Sequence, residues 1–136
     1  MFDLILLPLN SSPESERALQ MALNLAGKYN SKLLLLSVVD LPDDLPERES
    51  HLAQVRERAQ TLAQKVRERL QTEGFVSQAR IEEGKTAFVI CDVADETGTG
   101  LIVMGSRGLG LTEEGKQHST SDRVINLAPC PVLVVP

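Results

Sequence analysis

The feature that most constrains this chain is a set of apolar runs with almost no polar interruption: FDLILLPL (2–9), KLLLLSVV (32–39) and LIVM (101–104). A strand with one face in water alternates apolar and polar side chains, whereas a continuous run suits a strand buried on both faces, as in a parallel sheet. A shorter run, Val132–Val135, ends the chain. FVSQARIEEG (75–84) alternates around Val76, Ala79 and Ile81 and reads as a strand nearer a sheet edge.

Between these runs the period changes. Ser12 followed by Pro13 is a helix start, a capping hydroxyl and then proline at the first helical position. Glu14 and Glu16 favour the first turn, and Ala18, Ala22, Leu25 and Ala26 recur at helical spacing, so a helix is predicted over 13–29. Leu52, Val55, Ala59, Leu62, Val66 and Leu70 step by three and four, predicting a helix over about 47–73 that Gly74 closes. Thr86 caps a third helix running to about Glu96, and a short fourth is expected over about 120–128. The order β-α-β-α-β-α-β-α-β implies an α/β fold: an open, five-stranded parallel sheet, doubly wound, with helices on both faces. At 136 residues, without repeat or linker, one domain over 1–136 is expected.

Composition removes several functions. Net charge is −5, opposite to what a phosphate backbone attracts, and aromatics are 3%, too few for a base-stacking platform, so no nucleic-acid partner is expected. Arg and Glu alternate along the long helix as on a solvated face. Cys91 and Cys130 form no CxxC pair, and no metal-ligand spacing occurs, so two reduced thiols and no metal site are the expectation. The start Met1-Phe2-Asp3 carries no basic leader and the first apolar run is broken by Pro8, so a cytoplasmic chain without membrane contact is expected.

In open parallel sheets ligands bind at the carboxyl ends of the strands. Three loops qualify: 8–12, 38–40 and the glycine-rich 105–119. In the last, Gly105, Gly108, Gly110 and Gly115 permit a nest of N–H groups, and Ser119, Thr120 and Ser121 put three hydroxyls at a helix start. Phosphate binding and plain turn-making with helix capping are both open readings of these residues. GLTEEGKQ (110–117) imitates a P-loop, but it lies several residues beyond the strand, carries Glu113 and Glu114, and has no hydroxyl after Lys116 for magnesium. Asp40 either binds a ribose hydroxyl or magnesium, or is a loop-capping or solvated carboxylate. Arg107 either meets a phosphate or faces solvent. His51 reads as a surface residue. No nucleophile–base pair is legible, and no catalytic residue is assigned.

At these residues the chain resembles the universal stress protein family. LIVMGSRG, a Ser-initiated helix and APCPVLVV carry the resemblance most specifically, while LILLPLNSSPESERAL and LLLLSVVD extend it over the whole chain. The resemblance implies a Rossmann-like sheet of the adenine-nucleotide α-hydrolase kind with strand order 3-2-1-4-5. It also implies a regulatory module that binds an adenine nucleotide (ATP or AMP, with Mg2+ as an optional companion) and hydrolyses ATP at most weakly. Nucleotide-binding members carry G-x-x-G, nine residues, then G-[ST]; here Gly105, Gly108 and Ser119 match, and His118 stands where the motif's last glycine belongs. By resemblance Gly105, Gly108, Ser119 and Ser121 contact phosphates, Pro8 and Val38 line the nucleoside pocket, and Met104 lies nearby. Asn10 replaces the aspartate that serves near the ribose. The His118 ring either closes the pocket, donates to a phosphate, or faces solvent. The alternative function is therefore a nucleotide-free homodimeric scaffold acting through protein contacts. In either case the resemblance implies a homodimer through Val132–Val135, an apolar strand that would otherwise be an open pairing edge.

Overall fold

The computed structural model describes residues 1–10, 12–106 and 116–136, for 116–119 the backbone alone. The elements are β1 (Leu4–Pro8), α1 (Pro13–Tyr29), β2 (Lys32–Val39), α2 (Arg48–Thr72), β3 (Ser77–Glu83), α3 (Thr86–Thr97), β4 (Leu101–Gly105), α4 (Lys116–Leu127) and β5 (Val132–Val135). All strand pairs are parallel and the order is β3-β2-β1-β4-β5, as the sequence and its family resemblance implied.

Because side chains alternate across a strand, each apolar run feeds two cores. Ile5, Leu7, Leu33, Leu35, Leu101 and Val103 meet Ala18, Leu19, Ala22, Leu23 and Ala26 of α1 and Leu70 of α2 on one face. Leu6, Leu34, Leu36, Ile102 and Met104 meet Ala87, Ile90, Cys91, Val93 and Ala94 of α3 and Val124 of α4 on the other. Burial raises the thiol pKa of both Cys91 and Cys130 above the usual cysteine value.

Local chemistry sets the element ends. Ser12 Oγ accepts from Ser15 N at 3.1 Å ahead of Pro13, so the predicted start of α1 is the observed one. Gly74 has φ +88° and closes α2 with Gly74 N–H donating to Gln71 O at 3.1 Å and Phe75 N–H to Leu70 O at 2.9 Å, the paired bonds of a Schellman end. Phe2, expected in the first strand, precedes β1 and sets its ring edge-on to Tyr29, 5.3 Å between centroids.

The long helix departs from its apolar stripe. Ala63 and Leu70 are buried and Leu62 and Val66 pack beside the core, but Leu52, Val55 and Ala59 belong to neither core cluster. The reason is length. Twenty-five helical residues span roughly 37 Å at 1.5 Å each, whereas the seven residues of β3 span roughly 23 Å at 3.3 Å each. The helix overruns the sheet at its start, and Arg56 pairs with Glu83 of the β3 end at 3.1 Å.

The two regions should differ in cost. Leu35→Ala, in a fully buried site, is expected to destabilise by about 2–5 kcal/mol. Leu52→Ala is expected to cost about 1 kcal/mol or less. Urea unfolding midpoints of the two variants measure the difference.

Candidate functional site

In this strand order the chain reverses its direction of winding between β1 and β4, so the carboxyl ends of β1, β2 and β4 face the switch point. At the end of β1, Leu9 N–H donates to Leu36 O at 2.8 Å. Asn10 then folds the chain onto α1: its Oδ1 accepts from Ser12 N at 2.9 Å, and its own N–H donates to Ser15 Oγ at 3.1 Å. This is a side-chain-capped turn for which an amide and a carboxylate serve equally as acceptor.

At the end of β2, Leu36, Val38 and Asp40 follow each other on the face that carries α3. Asp40 Oδ2 accepts from Thr86 N and from Thr86 Oγ1, both at 3.1 Å. Of the open readings for Asp40, capping is thus observed. Thr86 corrects its expectation: it is the first helical residue, not the cap. The residue at the cap position, Lys85, makes no side-chain capping bond, and Asp40 supplies the acceptor from another element. Periodicity along one segment cannot reveal a cap that arrives from a distant strand.

Pro8, Leu9, Asn10, Leu36, Val38, Thr86 and Ile90 enclose a cavity of about 60 Å3 between β1, β2 and the start of α3. Pro8, Asn10 and Val38 are brought together here. Thr86 and Ile90 were not read as site residues; the signal available was the position of α3, which begins at the same sheet end. Small-molecule sites run to about 300–1,000 Å3, so this cavity alone is too small to hold such a ligand.

Met104 is fully buried in the core on the α3 and α4 face and does not line that cavity. Gly105 closes β4 and is buried. A β-carbon there would lie 2.8 Å from Glu14 Cβ and 3.1 Å from the Glu14 carbonyl carbon. The close approach that this glycine permits is therefore that of the first turn of α1. Helix α4 begins at Lys116, four residues before the predicted start, so Ser119, Thr120 and Ser121 follow its first three residues instead of opening it. Lys116 and Gln117 are good helix formers, and the serine signal had outweighed them. Thr120 is half-buried and Ser121 buried. Arg107 and Gly108 lie outside the described residues, as do the side chains of His118 and Ser119, whose backbone is in α4. No group of three or more His, Cys, Asp or Glu among the described residues could hold a metal ion. No described helix is long and apolar enough to cross a membrane.

The model of the universal stress protein family matches residues 1–136. The chain belongs to the universal stress protein family. A universal stress protein of Synechocystis sp. is 45% identical over 136 residues, covering 100% of this chain and 87% of that protein. Among solved structures, universal stress protein UspA from Lactobacillus plantarum superposes with a TM-score of 0.81 at 27% identity, covering 99% of this chain and 98% of that one. A universal stress protein family protein from Arabidopsis thaliana, solved with AMP bound, has a TM-score of 0.73 at 23% identity over 97% of this chain and 90% of its own.

The packing role of Gly105 is testable without a ligand. Gly105→Ala drives a β-carbon against the backbone of Glu14, and a loss of about 1–3 kcal/mol is expected. Denaturant unfolding of the ligand-free protein measures it; an unchanged midpoint would show that α1 yields freely.

Proposed function

We propose that this chain is a regulatory module that binds an adenine nucleotide, with the nucleoside at the carboxyl ends of β1 and β2 and the phosphates toward the start of α4. The observation that carries the reading is the cavity shared by Pro8, Asn10 and Val38 at the sheet's ligand-binding end. The Arabidopsis relative was solved with AMP, and universal stress proteins of the same fold with cAMP and dAMP, which supports the same ligand class here. Gly105, Arg107, Gly108, His118, Ser119, Thr120 and Ser121 form the phosphate side of the proposal, and the free N–H groups and positive dipole end of a helix suit an anion there. Mg2+ would accompany ATP through its phosphates.

Calorimetric titration with Mg-ATP and with AMP is the test. Micromolar binding is expected, and about 10- to 100-fold weaker binding in Ser119→Ala, the range for losing a hydrogen bond to a charged group. Binding that survives Ser119→Ala and Gly108→Val unchanged refutes the phosphate site. Binding seen only in His118→Gly refutes nucleotide binding by the native chain and leaves the scaffold reading.

The same module is proposed to form an isologous homodimer through β5. The two sheet edges differ in character. On β3, Arg80 pairs with Glu82 at 3.1 Å and with Glu96 of α3 at 3.2 Å, charges that discourage pairing. On β5, Val132, Leu133 and Val134 are half-exposed and apolar. Pro131 O and Val135 O accept from β4 and from Ser106, so the backbone groups of Val132 and Val134 point outward by alternation. Val134→Pro removes one outward N–H and leaves the β4 ladder whole. Light scattering at micromolar concentration should give a dimer for the wild type and a monomer for this variant; a monomeric wild type overturns the assignment.

A further inference from the structure

A second cavity lies at the opposite end of the sheet, where β1, β2 and β3 begin. Its volume is about 510 Å3, and Asp3, Leu4, Asn30, Lys32, Val76 and Gln78 are among its walls. Unlike the cavity at the carboxyl rim, it is within the size range of small-molecule sites. Backbone bonds fix the walls: Lys32 N–H donates to Asp3 O at 2.8 Å, and Leu33 N–H donates to Val76 O at 3.0 Å. Leu4 pairs with Lys32 and Leu33 with Ser77, so Leu4, Lys32 and Val76 stand in one row across the three strand starts. Two opposite charges line this cavity without meeting. Among the described residues neither the Asp3 carboxylate nor the Lys32 ammonium makes an ion pair. Asn30 caps the carboxyl end of α1, the negative end of its dipole, and so adds to the attraction of Asp3 for a cation. Apolar surface completes the walls: Val76 is 61% exposed and Leu4 half-buried.

We infer that this amino-end cavity is a second binding site, for a free α-amino acid with an aliphatic side chain. The ligand's ammonium donates to the Asp3 carboxylate, its carboxylate accepts from Lys32 Nζ and the Gln78 amide, and its side chain covers Leu4 and Val76. A simple anion would gain Lys32 but face Asp3, and a simple cation would do the reverse. A ligand that carries both charges on one carbon satisfies both walls at once. The site is separate from the nucleotide site proposed at the carboxyl rim. The eight residues of β2 that lie between them span roughly 26 Å at 3.3 Å each.

The experiment varies the ligand first, so that it does not depend on a variant folding. Isotope-labelled wild-type protein is titrated with L-leucine, with isocaproate, which lacks the ammonium, and with isoamylamine, which lacks the carboxylate, and the backbone amide resonances are followed by NMR. Leucine is expected to give saturable shifts at Lys32, Leu33 and Ser77. Either analogue should bind about five- to tenfold more weakly, the scale of an ion pair open to solvent. The same ligands are then titrated into Lys32→Gln and Asp3→Asn, two exposed positions. Lys32→Gln should weaken leucine by a similar factor and leave isoamylamine unchanged. Asp3→Asn should weaken leucine and leave isocaproate no weaker than before. The inference is overturned if leucine gives no saturable shift at the strand starts, or if isocaproate or isoamylamine binds the wild type as tightly as leucine. It is equally overturned if neither substitution changes the affinity for leucine.

Discussion

Everything in this molecule depends on burying the inner strands on both faces. Leu6, Leu34 and Ile102 point one way, Ile5, Leu33 and Leu101 the other, and none of these side chains is more than 5% exposed. A sheet of this kind cannot leave either face to water, so each return of the chain must carry a helix back across it. Parallel pairing then sends every strand end, and every loop that follows, to the same rim. The apolar runs therefore determine where a ligand can bind before any polar residue is considered.

At that rim the polar residues first serve the fold. Asn10 turns the chain into α1 by taking Ser12 N–H, and Asp40 caps α3 from β2 through two bonds to Thr86. Gly105 is bare so that Glu14 can sit against the end of β4. Each contact satisfies an exposed helix N-terminus or closes a gap, and those of Asn10 and Asp40 also hold residues of the cavity wall, Asn10 itself and Thr86. This double use explains why the cavity can be small yet well defined: its walls are rigid because they are the places where helices are attached to strands.

The alternation of apolar runs with helical stripes made most of the fold legible. Two strands and one helix, Lys32–Val39, Val132–Val135 and Pro13–Tyr29, begin and end where periodicity and capping put them. Leu52, Val55 and Ala59 show the limit, since a stripe reveals which face of a helix is apolar but not how far the sheet beneath it extends. Pro8, Asn10 and Val38 were legible as a cluster because the family resemblance and the strand-end rule agree on them. Thr86 and Ile90 were not, because their nearness to β1 and β2 is a product of the crossover and leaves no trace in local spacing. Lys116 at the start of α4 was hidden for the opposite reason: a strong local signal at Ser119 masked a weaker continuous propensity.

The carboxyl-end rim of the sheet is bonded directly to the end of β5. Ser106, the residue after Gly105, donates its N–H to Val135 O at 2.8 Å, and Arg17 of α1 donates from Nε to Pro136 O at 2.7 Å. The first turn of α1 in turn rests on Gly105 through Glu14. The end of β5 and the residue after it are thus bonded directly to the end of β4 and to α1. A shift of α1 away from β4 would have to stretch the Arg17 bond or carry the end of β5 with it. The inner backbone groups of β5 pair along β4, and its outer ones, at Val132 and Val134, are turned to the open edge.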